Sequence, residues 1–435
     1  MEDNIEKGDY VKIKYDAKEV EGILMPRAGI MSKDITVLKL DNGYNIGIKN
    51  SRIKKITLIE KYKLKAQKKS EIKQNQKLPN VSVLSFGGTI SSKIDYRTGG
   101  VYADYTAEDF INMEPELRNI ANIKAKHVLS IMSEDASWQE WKTIAESIYN
   151  ELKDKNVNGI VCTVGTDTMH YITAAVSFFL KNLNKPVIFT AAQRSIDRAS
   201  SDAFMNLKCA ITAAAKFNAA EVMTCMHATI NDDFCFLIRG TKVRKMHSSR
   251  RDAFRPINEK PFAKIYADGK TQEINSNYKK IEKHKSYEPE LDLKYNDKIA
   301  LIMIHPGIDK DIIDYYISKG YKGIVLATTG MGHVPSNTKN NLMPSIQSAA
   351  NKGIPIIIAT QTIYGRTHPH VYTGLRKLSI ESGCIFAEDM LPEVAYVKLG
   401  YVLGHTAKIQ DIKKQMSENL RGEINSRHMS DEFLY

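Results

Sequence analysis

The sequence predicts an α/β protein of two parallel-sheet domains preceded by a small antiparallel β-barrel. Three observations carry that prediction. From Asn80 onward, short apolar runs alternate with amphipathic stretches, the pattern of strands covered by crossover helices. Before Asn80 the runs are shorter and β-rich, and Asp41-Asn42-Gly43 breaks them with a hairpin signal. Two polar, lysine-rich stretches, 61–78 and about 268–297, interrupt both rhythms and mark boundaries. A chain of 435 residues suggests two or three domains, and 43% apolar content is enough to give them cores.

Taken in order, residues 1–60 hold four strand-like runs, Tyr10 to Tyr15, Glu21 to Met25, Ile35 to Leu40 and Asn45 to Ile48. They are separated by polar turns, as a small barrel requires. Residues 61–79 form a basic linker with almost no apolar content. A large α/β domain is expected over 80–297. Its strands are Val81–Phe86, Gly159–Val164 and Pro186–Thr190, with helices from about Met169 to Leu180 and from about Ser200. Glu221–Met226 and Phe234–Ile238, flanking Asn231-Asp232-Asp233, read as a hairpin. A smaller α/β domain follows over 298–410, with strands Ile299–Ile304, Gly323–Ala327 and Ile354–Ala359. Residues 411–435 are expected to be a helical tail.

Composition excludes several classes. No apolar run nears the roughly 18–20 residues that span a bilayer, and the longest, around Ala174 to Leu180, is far shorter. The opening MEDNIEKGDY is acidic and polar, so no secretory leader is expected. Cys162, Cys209, Cys225, Cys235 and Cys384 stand far apart without a CxxC pair, which points to reduced core residues of a cytoplasmic protein. The net charge is +12, and residues 1–80 hold 18 Lys/Arg against 11 Asp/Glu. Such an excess favours a polyanionic partner through counterion release. A solvated lysine-rich linker accounts for the charge equally well.

Ligands of open parallel sheets bind at the carboxyl ends of the strands, where the strand order reverses. Two segments place unusual chemistry there. Phe86-Gly87-Gly88-Thr89-Ile90 ends a strand in two glycines and puts a hydroxyl at its mouth, although Thr89 would also serve as a plain turn residue. Thr163-Val164-Gly165-Thr166-Asp167-Thr168-Met169 ends another strand and opens a helix. Helix capping explains one of Thr166, Asp167 and Thr168, but not all three. Backbone N–H groups at such a helix start can also stabilise developing negative charge. A threonine nucleophile needs a base, and a lysine tuned by burial or by a carboxylate can supply it. The run Arg239-Gly240-Thr241-Lys242-Val243-Arg244-Lys245-Met246-His247 offers two lysines, and reads equally as a solvated basic patch. There is no phosphate loop, no G-x-G-x-x-G and no His/Cys cluster with metal spacing. His305, His333, His368 and His370 read as structural or surface residues.

The motifs GGTI at 87–90, VGTDTMHY at 164–171, KVRKMHSSRRDAF at 242–254 and YGR…YTGL…DM…EVAYVKL at 364–399 resemble the asparaginase/glutaminase family of two-domain amidohydrolases over roughly residues 80–410. The N-terminal block, the basic linker, RKMHSSRRDAFRP and the tail KLGYVLGHT…GEI resemble a narrower family within it, the archaeal-type D subunits of glutamyl-tRNA(Gln) amidotransferases. The resemblance implies an asparaginase-like fold and a set of roles. Thr89 would be the nucleophile, with Thr166, Asp167 and Lys245 forming a second triad. Lys242 is the alternative, but Val243-Arg244-Lys245 fits the family's spacing better. Ser133 would bind the substrate α-carboxylate, Glu134 would help hold its amino group, and Gly88 would lie against the substrate. Tyr96, or else Tyr102, would assist Thr89. The resemblance further implies a glutaminase, with glutamine or asparagine as amide donor, that passes ammonia to the amidotransferase's E subunit. No cofactor is implied in this chain. The partner would bind tRNA(Gln) with ATP and Mg²⁺, and two copies of this chain would pair within a heterotetramer. The same residues would also suit a stand-alone cytoplasmic asparaginase.

Overall fold

A computed structural model describes residues 5–26, 33–62, 75–88, 92–94, 101–103, 115–196, 198–282, 288–337 and 339–435. The N-terminal block folds as a five-stranded antiparallel sheet. Its strands are β1 (Tyr10–Tyr15), β2 (Lys18–Leu24), β3 (Ile35–Lys39), β4 (Asn45–Lys49) and β5 (Ile53–Glu60), in the order β4-β3-β2-β1-β5. The period-two pattern sets which face is buried. Val11 and Ile13 of β1 meet Leu24, Leu38 and Ile48 inside, while Lys12 and Lys14 reach outward to Glu21 and Glu19. The Asn-Gly turn joins β3 to β4, with Gly43 N–H donating to Leu40 O at 2.9 Å. Strand β5 lies after the four strand-like runs and just before the basic linker. Its exposed Lys54 and Lys55 mask a half-buried edge of Ile53, Ile56 and Leu58.

The large domain is built on an eight-stranded sheet. In chain order its elements are β6 (Asn80–Gly87), β7 (Asn122–Ile131), α1 (Trp138–Lys153), β8 (Gly159–Thr163), α2 (Met169–Phe179), β9 (Val187–Thr190), α3 (Ala203–Lys216), β10 (Val222–His227) and β11 (Phe234–Arg239). A separate two-stranded ribbon follows, β12 (Val243–Lys245) with β13 (Phe254–Pro256), and β14 (Ala263–Tyr266) and β15 (Thr271–Glu273) complete the sheet. The strand order is β15-β14-β11-β10-β9-β8-β6-β7. Strands β10, β9, β8, β6 and β7 are parallel, while β11, β14 and β15 add antiparallel hairpins. The sheet is therefore mixed, with the parallel core that the alternation requires. The chain leaves β6 for β7 on one side, and leaves β8 for β9 on the other. Connections diverge between β6 and β8, so the ligand crevice belongs at their carboxyl ends.

The small domain holds the parallel sheet β16 (Ile299–Met303), β17 (Gly323–Thr328), β18 (Ile356–Thr360) and β19 (Ile385–Phe386), in that order. Its helices are α4 (Ile312–Ser318), α5 (Met343–Asn351), α6 (Pro392–Leu403) and α7 (Ile409–Ser417). Helices α2 and α6 pack on each other between the two sheets, with the Phe178 and Tyr401 rings stacked 5.7 Å apart and Tyr171 edge-on to Tyr396. Both are apolar almost all round, as helices enclosed on every side must be. One continuous core runs from the large sheet through this pair into the small domain.

A helical tail is expected beyond 410, but the helix stops at Ser417 and residues 418–435 form neither helix nor strand. The N–H groups of Leu420 and Arg421 donate instead to the buried Glu423 carboxylate, at 2.9 and 2.6 Å. Side chains thus take the place of i→i−4 carbonyls. All five cysteines are buried and free. Among the described residues no helix is long and apolar enough to cross a membrane.

Candidate active site

At the carboxyl end of β6 the backbone turns through Gly87 and Gly88, both with positive φ, of 101° and 82°. A Cβ on Gly88 would stand 2.5 Å from the carbonyl of Val164 and the nitrogen of Gly165. Glycine is therefore required twice over at this position, by conformation and by close approach. The β6 turn and the β8 turn touch backbone to backbone, at the crevice that the topology marks. Gly165 repeats the device on its other side, where a Cβ would lie 2.7 Å from the Ser133 hydroxyl. Three segments distant in sequence thus meet at one place.

Ser133 opens a short 3₁₀ turn, Ser133–Asp135, and is buried. Its Oγ accepts from the Asp167 N–H at 3.1 Å and from the Thr168 N–H at 3.4 Å. Thr168 is the N-cap of α2, yet its side chain makes no capping bond. Its hydroxyl donates to the Ser133 carbonyl. Simple capping thus fails to account for the Thr-Asp-Thr run. The helix-start N–H groups of 167 and 168 are held by Ser133, so an oxyanion would have to be met by others. Glu134, beside Ser133, is exposed.

Strand β12 delivers the lysine. Lys245 Nζ donates to Thr166 Oγ1 at 2.8 Å and to Asp167 Oδ1 at 2.6 Å. The Lys245 side chain is 9% exposed and that of Asp167 62%. The amine is therefore enclosed while the carboxylate faces the open mouth, where it can meet a second cation. Lys242 goes elsewhere. Its Nζ pairs with Asp389 Oδ2 at 2.6 Å, in the seam between the domains, with both side chains at most 1% exposed. Lys245 is thus the lysine that meets Thr166.

Of the residues expected at the site, Gly88, Thr166, Asp167, Lys245 and Ser133 lie together, and Glu134 lies next to Ser133. Thr89 and Tyr96 lie outside the described residues. Tyr102 stands in a short ribbon, opposite Lys93. His305 and His370 are exposed, and His333 packs edge-on against Tyr372 at 5.0 Å. Two residues around the site went unread in the sequence, His170 and Glu393. The first stands inside the VGTDTMHY motif, and Glu393 opens EVAYVKL. Burial pushes the His170 imidazole down to about 3, and the charges of Arg244 and Lys245 act in the same direction. A wide cleft of about 880 Å³ lies along the C-terminal tail. Its Arg239 pairs with Glu221 and Glu259, and its Lys260 with Asp431.

Comparison with known proteins bears on the family and the fold. Residues 80–281 match the family model "Asparaginase, N-terminal", residues 298–416 match "Glutaminase/Asparaginase C-terminal domain", and residues 5–59 match "GatD N-terminal domain". The D subunit of the glutamyl-tRNA(Gln) amidotransferase of Pyrococcus furiosus is 47% identical over 99% of this chain and 97% of its own length. The chain belongs to the family of glutamyl-tRNA(Gln) amidotransferase D subunits. A family member from Methanothermobacter thermautotrophicus is 43% identical over 98% of this chain and 95% of its own length. Among solved structures, the thermostable L-asparaginase from Thermococcus kodakarensis superposes with a TM-score of 0.71 at 29% identity. It covers 80% of this chain and 100% of the asparaginase. L-asparaginase I from Vibrio cholerae gives a TM-score of 0.68 at 27% identity, over 80% of this chain and 99% of its own. The family thus adds an N-terminal sheet to an asparaginase-like body.

Proposed function

We propose that this chain is the ammonia-supplying glutaminase component of a tRNA-dependent amidotransferase, and that Thr89 is its nucleophile. The observation that carries the reading is the Lys245–Thr166–Asp167 triad, seated where the Gly88 turn meets the Gly165 turn. In this reading the Thr89 oxygen attacks the side-chain amide carbon of glutamine and forms a tetrahedral oxyanion. Lys245 and Thr166 carry the hydroxyl proton to the departing nitrogen. Ammonia leaves, a glutamyl ester on Thr89 remains, and water then hydrolyses it to glutamate. Asp167, exposed at the mouth, pairs with the substrate α-amino group with help from Glu134, and Ser133 donates its hydroxyl proton to the α-carboxylate. Gly88 lines the pocket, and Tyr96 or Tyr102 assists Thr89. Asparagine would enter the same chemistry with one methylene less.

The ammonia passes to the E subunit of the amidotransferase, which holds the tRNA(Gln) and uses ATP and Mg²⁺ to activate the misacylated glutamate. Two copies of this chain pair within a heterotetramer in the cytoplasm. Full-length similarity to D subunits, including the N-terminal sheet, supports this placement. The test is glutamine hydrolysis by the chain alone and with its partner, with and without Glu-tRNA(Gln). Stimulation by the partner and charged tRNA is expected, and unregulated turnover by the isolated chain would count against the reading. The likeness of residues beyond 80 to L-asparaginases favours a second reading, a stand-alone asparaginase. Co-purification of a second protein chain in stoichiometric amount from native lysate would exclude it.

A further inference from the structure

The β3–β4 turn of the N-terminal sheet closes on the loop between β9 and α3 of the large domain. A Cβ on Gly43 would stand 2.7 Å from the Ala199 nitrogen, and Gly43 has a φ of 83°, so close approach and conformation both call for glycine there. Strands β8 and β9 are parallel neighbours, with Thr163 opposite Thr190. The loop after β9 therefore leaves the sheet at the same edge as the Thr166 turn after β8. A cleft of about 480 Å³ opens beside the contact. Tyr44 and Asn45 from the sheet, Lys39 from β3, and Arg194 and Arg198 from the loop line it, and among the described residues no carboxylate does. Asp41, in the same turn, accepts from the Tyr10 hydroxyl at 2.9 Å.

The loop presents its two arginines on a fixed base. Fully buried Asp202 accepts the N–H groups of Gln193 and Arg194, each at 3.0 Å, and Ser201 Oγ donates to the Arg194 carbonyl at 2.9 Å. Both arginine side chains are exposed. Arg194 Nη1 reaches the Ala199 carbonyl at 3.5 Å, and neither guanidinium has a carboxylate partner among the described residues. Tyr44 beside them is 58% exposed. A guanidinium matches phosphate oxygens with two parallel N–H bonds, and an open ring offers a stacking face to an unpaired base. The surrounding field is also suited to a polyanion, since residues 1–80 carry 18 Lys/Arg against 11 Asp/Glu. The asparaginase-like body begins at residue 80, so this cleft is an addition to the amide-hydrolysing part of the chain.

We propose that this cleft binds RNA of the tRNA substrate, with Arg194 and Arg198 on backbone phosphates and Tyr44 stacked on an unpaired base. The proposal rests on the reading of this chain as part of a tRNA-dependent amidotransferase. It gives the chain a share of tRNA contact beyond that of the E subunit.

The test is binding of a fluorescently labelled tRNA(Gln) transcript, over a range of salt, to the complex of this chain with its E subunit isolated by gel filtration. Arg194→Ala with Arg198→Ala is expected to weaken binding at least about tenfold and to lower the slope of log K against log salt by about 1 to 2. Arg194→Lys with Arg198→Lys keeps both charges, so it should retain the slope while losing part of the affinity. Tyr44→Ala should weaken binding about fivefold with the slope unchanged. Glutamine hydrolysis without tRNA should stay as in wild type. Wild-type affinity and slope in the alanine double variant overturn the proposal. Loss of the E subunit from that variant, with unaltered tRNA binding by the complex that remains, also overturns it and makes the cleft a protein interface. Failure of the wild-type complex to bind tRNA at all sinks the amidotransferase reading together with the proposal.

Discussion

Lys242 and Lys245 stand three residues apart, and the two regions they serve differ in almost every physical respect. At the seam, Lys242 is sealed against Asp389, whose other oxygen accepts the Asn425 N–H at 2.9 Å, so that large domain, small domain and tail meet on one carboxylate. Burial pushes the Lys242 amine below the usual lysine range, and Asp389 offsets part of that effect. At the mouth, Lys245 is enclosed but its carboxylate partner is in water, and a threonine hydroxyl takes a second of its protons. A saturated, dry pair can hold a fold together but has no proton to move. A half-open pair backed by a hydroxyl can move one. The difference lies in where each amine is delivered, because the residue type is the same.

Removing the lysine at the mouth gives the largest effect expected from this contrast. Lys245→Ala and Thr166→Ala should each lower kcat for glutamine hydrolysis by about 10²–10⁴-fold, the usual contribution of a positioned acid–base group. Thermal unfolding should change little. Near-normal turnover in either variant would erase the distinction between the two regions.

Removing the lysine at the seam should instead show in stability. Lys242→Ala leaves Asp389 buried without its lysine and should cost about 3–5 kcal/mol in urea unfolding. Replacing the pair together, as Lys242→Met with Asp389→Leu, should recover most of that loss, because paired apolar groups of similar size satisfy each other. A Lys242→Ala protein as stable as wild type would mean that the seam does not depend on the pair.

A smaller effect is expected where Ser133 supports the mouth. Ser133→Ala deprives the Asp167 and Thr168 N–H groups of their acceptor, for about 1–3 kcal/mol of stability. It should also raise KM more than it lowers kcat. The reverse pattern would place Ser133 in the proton path rather than in binding.

A pH dependence of stability is also expected. His170 takes up a proton near its ordinary value of 6.5 when unfolded, but only near about 3 when folded. Between those values the unfolded chain binds more protons, so this residue makes stability fall as pH drops from 6.5 toward about 3, while at neutral pH the full contribution is present. His170→Gln should flatten the stability profile across that window in denaturant titrations at several pH values. An unchanged slope would assign the acid sensitivity to other groups.

Much of this was legible in the residues. The strand β6 and its GGT ending, the strand β8 and its GTDT ending, and the hairpin β10–β11 all read from apolar periodicity and turn residues, because local preference and burial agree there. The choice of Lys245 over Lys242 rested on motif spacing, since both side chains offer the same chemistry to a reader of sequence. Strand β5 was hidden because the exposed Lys54 and Lys55 break the alternation of its half-buried Ile53, Ile56 and Leu58. The end of α7 at Ser417 was unreadable, since Glu423 replaces helical carbonyls with a side chain that folding brings near. Glu393 carried no local signal, for a glutamate in the first turn of a helix is ordinarily a surface residue favoured by the helix dipole.

By itself, the sequence determined the class of the fold, the order of its elements and the two turns that carry hydroxyls. Those features are set by interactions between near neighbours, namely alternation of apolar residues, glycine at positive φ and polar breaks. The tertiary structure decided which lysine meets Thr166, which carboxylate is buried and which domain balances Arg244. Those outcomes depend on distances between residues some 80 to 150 positions apart (Thr166 to Lys245, Lys242 to Asp389, Arg244 to Glu393), which tertiary packing fixes and no local pattern encodes.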